Sequence, residues 1–75
     1  MGIVKNSNEF NLWKEVYTIR NKYANNVTTD EQFKAVMDET RALFDKYKDT
    51  DAAVPARWCS MMVREIFNEE WKIAH

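Results

Sequence analysis

Seventy-five residues with a formal net charge of −1 and a pI near 5.8 suffice for one small domain and hold no general attraction for nucleic acid or an anionic membrane. The single cysteine excludes an intramolecular disulfide, and Cys59 with the terminal His75 falls far short of a four-ligand zinc set. Stability must therefore come from a dense core, for which the three Trp, four Phe and three Tyr supply the bulk. One glycine and one proline argue for helices, since sheets of short strands need turn residues.

Residues 1–7 read as a flexible polar lead-in to a three-helix domain over 8–75. The opening "MGIVKN" begins like a myristoylation signal but has Asn6 where Ser or Thr is wanted. A first helix is expected over 8–24, capped by Ser7 or Asn8, with Glu9 suited to the dipole of its first turn. Its apolar stripe is Phe10, Trp13, Val16, Tyr17 and Tyr23, with Leu12 and Ile19 alongside. The joint "NNVTT" follows, where Asn tolerates a left-handed exit. Its Asn26-Val27-Thr28 matches the glycosylation tripeptide, a pattern that recurs by chance.

The second helix, expected over 30–48, has the best-marked start. Thr29 to Gln32 reads as a capping box. Phe33, Val36, Met37, Thr40, Leu43, Phe44 and Tyr47 form a clean inward stripe. After "KDTDAAVP", Pro55 fits only a first turn, so the third helix is expected over 54–73. Short joints make neighbours antiparallel, and the fold class expected is an all-α, single-domain, up-down-up three-helix bundle.

On a helical wheel, Trp58, Cys59, Met62, Val63, Ile66 and Phe67 gather on one broad half of the third helix. Cys59 there is a small buried hydrophobe; a nucleophilic Cys needs a base and an electropositive, partly open setting. Met61 and Trp71 project onto the opposite half, beside Arg57, Ser60, Arg64, Asn68 and Lys72, while Glu65, Glu69 and Glu70 point elsewhere. This face is either a solvated surface with two stray apolar residues or a contact surface, since Trp, Met and Arg are enriched where proteins meet. The partner-binding candidates are thus Arg57, Met61, Arg64, Asn68, Trp71 and Lys72. Arg20 and Glu70 fall inside apolar sectors at the same end of the bundle. Arg20 is therefore expected to pair with Glu70, Glu31 or Asp30.

Nothing in the pattern favours an enzyme. The acids of the second segment alternate with Lys34, Arg41, Lys46 and Lys48 as on a solvated surface, and the only glycine, Gly2, builds no phosphate loop. No cofactor, metal or small molecule is implied. A helix-turn-helix reading would use Arg57, Arg64 and Lys72 on nucleic acid. It is disfavoured by the six acids of 30–49 (Asp30, Glu31, Asp38, Glu39, Asp45, Asp49) and by a turn without glycine. No apolar run approaches the ~18 residues of a membrane span, and no signal-peptide core is present, so a reduced, cytoplasmic setting is the simplest expectation. A non-enzymatic interaction protein, binding a foreign protein or a second copy of itself, fits best.

The segments "NLWKEVYTIRNKY", "EQFKAVMDETRALFDKYKDT" and "WCSMMVREIFNEEWK" resemble a loose group of small helical proteins encoded in prophages and mobile elements of Gram-positive bacteria. Cys59 and the doubled Met61-Met62 depart from that group's pattern. The resemblance implies a phage or mobile-element accessory protein or inhibitor in a bacterial cytoplasm. It implies no catalytic or binding residue.

Overall fold

A computed structural model describes residues 2–24 and 26–75. Met1, the first residue of the expected lead-in, and Asn25, in the expected left-handed exit, lie outside the described residues. The architecture is three helices, α1 (Asn8–Tyr23), α2 (Asp30–Tyr47) and α3 (Ala53–Ala74), in an all-α up-down-up bundle.

Each start has a local cause. Asn6 takes a left-handed conformation (φ 66°), which Asn tolerates better than most residues. Ser7 then accepts a hydrogen bond from the Phe10 amide at 3.2 Å. Thr29 and Gln32 close the capping box reciprocally, the Gln32 amide donating to Thr29 Oγ1 and the Thr29 amide to Gln32 Oε1, each at 3.1 Å. The start of α3 has no side-chain cap. Instead the Ala53 amide donates to the Thr50 carbonyl at 3.2 Å, and Pro55 contributes no N–H to satisfy. Thr50 stabilises this glycine-free turn, its hydroxyl donating to the Tyr47 carbonyl and accepting from the Ala52 amide.

The core is Leu12, Val16 and Ile19 of α1, Val36, Leu43 and Tyr47 of α2, and Ala56, Cys59, Val63 and Phe67 of α3, with Ala52 beneath the joint. Thr40 is fully buried in α2. Its hydroxyl donates to the Met37 carbonyl at 2.8 Å, and its own carbonyl accepts from Ser60 Oγ at 3.2 Å, so neither residue carries an unmet polar group inward. In α1 the inward line is Leu12, Val16 and Ile19, while Trp13 and Tyr17, expected in that stripe, lie exposed. The two aromatics sit one step round the helix, on the edge facing α3. The interior there is narrow and takes the compact aliphatic side chains.

Two reciprocal clamps join α1 to α2. Glu15 accepts hydrogen bonds from Tyr47 and, at 2.9 Å, from Lys46. Glu39 accepts from Tyr23 and faces Lys22 at 3.6 Å. In each helix a glutamate precedes a Lys-Tyr dipeptide by the same interval, and the antiparallel pairing crosses them. Next to the Tyr23 clamp, Arg20 makes a bidentate bond to Glu70, at 2.6 and 3.0 Å, and lies 5.0 Å over the Phe67 ring. The structure thus selects Glu70 from the three expected acids.

Truncating the largest fully buried side chain tests the core. Phe67→Ala should cost about 3–5 kcal/mol, enough to lower the urea midpoint sharply or unfold so small a domain, as followed by far-UV circular dichroism. The clamps predict the pH response. The Glu70 carboxyl is held below its ordinary value of 4.5 by the hydrogen bond from Arg20, against burial. For Glu15 burial pushes upward, but the hydrogen bonds from Tyr47 and Lys46 outweigh it and the net shift is downward. Both stabilise the fold fully above that value and lose their effect as pH falls through the lower folded values, by no more than about 1 kcal/mol each after solvent screening. Burial, and then the bond to Glu15, push the Tyr47 hydroxyl from 10.0 up to about 12, so its contribution holds below pH 10 and fades as pH rises towards 12. Urea midpoints measured across pH should fall at both extremes, and Glu15→Gln should flatten both limbs.

Candidate functional site

The outer side of α3 is apolar over its first half. Val54 is 68% exposed, Trp58 63%, Met61 51% and Met62 45%. These positions recur at three- and four-residue steps, so they form one strip along the helix. The opposite side of the same turns carries Ala56, Cys59 and Val63 into the core. A surface helix normally shows one apolar stripe; this one is apolar on two sides over the same turns. On the α1 side, Trp13, Pro55, Trp58, Cys59 and Met62 enclose a groove of about 280 Å³ with almost wholly apolar walls. Trp13 donates its indole N–H to Glu9 at 3.1 Å, which leaves the ring faces free of any polar obligation. Tyr17 continues this edge in α1, also exposed.

The candidate contact residues divide along α3. Met61 and Arg64 border a groove of about 460 Å³ with Phe33, Met37, Glu65 and Asn68. Arg57 is exposed on the same edge, seven residues before Arg64. Among the described residues neither Arg57, Arg64 nor Glu65 lies within ion-pair distance of an opposite charge. Trp71 is not turned away from the bundle: its ring packs on Phe33 of α2, with centroids 5.0 Å apart, and His75 stacks on its other face at 3.8 Å. Lys72 sits 3.4 Å from Glu69. The face is thus not free of acids, since Glu65 lies in it and Glu69 pairs with one of its bases.

Four expected placements, that of Trp71 among them, change for a single reason. Ser60, expected outside, is buried against Thr40, while Trp58 and Met62, expected inside, are exposed. α3 contacts α2 far more extensively than α1, so its inward direction is rotated towards α2. That rotation draws Ser60 and Trp71 in and swings Trp58 and Met62 out. Trp13, Tyr17, Val54, Trp58 and Met62 were not legible in the sequence as surface residues. The available signal was that the first half of α3 has more large apolar side chains than one face can hold.

A third hollow, of about 380 Å³, lies at the opposite end between Tyr23, Val27, Phe67 and Trp71. Its polar groups are engaged, Glu70 by Arg20, Tyr23 by Glu39 and Thr28 by Gln32. No group of three or more potential metal ligands occurs among the described residues, and no helix there is long and apolar enough to cross a membrane. Burial, and then the Glu9 carboxylate, push the Cys59 thiol up, so little thiolate forms near neutral pH.

Compared with family models, curated proteins and solved structures, the chain matches none.

Cys59 tests the site's geometry directly, because it forms the floor of the apolar groove while being only 2% exposed. A thiol-specific chromogenic reagent should modify it at a rate limited by unfolding in the native protein, and at once in denaturant. Fast native labelling would show that the groove opens to its floor.

Proposed function

We propose that this protein is a non-enzymatic protein–protein interaction module that presents the outer face of α3. The observation that carries this reading is the exposed strip Val54, Trp58, Met61 and Met62 on a helix whose opposite side already fills the core. Contiguous exposed apolar surface rimmed by polar groups marks contact sites in soluble proteins. Trp and Met with flanking Arg are residue types that dominate such contacts. The centre of the face lies at Trp58 and Met61, with Arg57, Arg64 and Asn68 as its rim; Trp71 acts by closing the bundle behind it. The resemblance of its three segments supports a role as an accessory protein or inhibitor of a phage or mobile element, acting in the cytoplasm on a protein.

Site-specific photo-cross-linking tests this. A photo-reactive side chain placed at Met61 should trap a discrete adduct in cells, while one at Asp38, on the solvated side of α2, should trap only background. Adding Trp58→Glu, with helicity retained, should remove the Met61 adduct. Equal yields at both positions would overturn the reading.

A further inference from the structure

The α3 strip has two unlike edges. Trp13, Tyr17 and Met62 border it on the α1 side, and Arg57 and Arg64 border it on the α2 side. Glu69, seven residues after Met62, shares the aromatic edge. Resting on the contact-surface reading above, we infer that the occupant of this strip is a second copy of the chain, its α3 running in the same direction about a two-fold axis.

The direction follows from the edges. When two helices related by a two-fold pack in parallel, each edge of one meets the opposite edge of the other. In an antiparallel pair like edges meet. Antiparallel pairing would set Arg57 and Arg64 against the same residues of the second copy and repel. Parallel pairing sets Arg64 against Glu69 of the partner subunit, five residues further on, the spacing at which flanking charges meet across such a seam. It also brings Arg57 to Met62 of the partner subunit and to the open indole face beside it, where a guanidinium over an aromatic ring is favourable. Among the described residues Arg64 has no acid within ion-pair distance, and Glu69 holds only the exposed Lys72 at 3.4 Å.

The seam itself is Val54, Trp58 and Met61, at alternating four- and three-residue steps. Glu65 is the next seam position and brings like charges together, offset by the Arg64 side chains that flank it on both copies. The exposed parts of the six apolar side chains on strip and edge come to on the order of 600 Å² per copy, against roughly 800 Å² per partner in a standard interface. That is enough for a reversible dimer once the polar rim is added.

Sedimentation equilibrium of the full chain at low ionic strength tests the pairing. The wild type should dimerise, and Trp58→Glu should weaken the dimer by about a hundredfold. Arg64→Glu should weaken it by about tenfold, and adding Glu69→Arg to Arg64→Glu should restore it. The two residues do not meet within one copy, so restoration reports only on contact between copies and only on the parallel arrangement. A wild type that stays monomeric to about 1 mM overturns the inference. So does a dimer that the double charge reversal fails to restore. If the protein is monomeric yet the Met61 cross-link to a foreign protein remains, self-pairing falls while the contact surface stands. If both are lost, the surface reading falls too.

Discussion

The packing of α3 onto α2 orients everything else in this molecule. α2 packs on both other helices, with Val36, Thr40, Leu43 and Tyr47 buried along it, and α3 leans on it more than on α1. The buried hydrogen bond from Ser60 to the Thr40 carbonyl and the Phe33–Trp71 ring contact lie along that seam, one near its middle and one at its end. A polar pair inside a small core is tolerated only when its partners are aligned, so this bond favours one rotation of α3 over its neighbours. Once that rotation is set, the faces left over are set as well.

The surface strip is therefore a consequence of the core. The first half of α3 carries Val54, Trp58, Met61 and Met62 besides the small residues Ala56, Cys59 and Ser60. The small ones go inward, because a close approach of α3 to α2 leaves no room for an indole. Large apolar side chains at core distance would force the helices apart and lose contacts along the whole seam. What looks like excess hydrophobicity in the sequence is a sorting by size, with the bulky residues outside and the compact ones within.

This is also why the fold was legible in the sequence and the site only in part. Helix limits were readable to within a residue or so because local chemistry sets them: the Ser7 cap, the box at Thr29 and Gln32, and Pro55 in a first turn. The Arg20–Glu70 bond was legible because charges in an apolar sector need partners and topology left few. The exposed face of α3 was harder. A wheel places residues relative to the mean apolar direction of one helix, and α3 has two competing apolar directions. Only the position of α2 decides between them, and that is a property of three helices together. Met61, Arg57 and Arg64 were placed outside correctly because they lie far from either inward direction. Trp71 and Trp58 sit at the margins, where a modest rotation exchanges inside for outside.

The crossed glutamate and Lys-Tyr clamps between α1 and α2 bear on how this chain could vary in length. Each clamp needs its glutamate and its Lys-Tyr pair held at a constant interval within a helix, and one added residue turns everything beyond it by ~100°. An insertion between Glu15 and Lys22, or between Glu39 and Lys46, would carry one partner out of reach and turn half of a buried stripe into water. Extra residues at Asn26 or Val27 would leave both intervals untouched. Evolutionary drift in size should therefore collect in the bend between the first two rods, while the rods themselves keep their count.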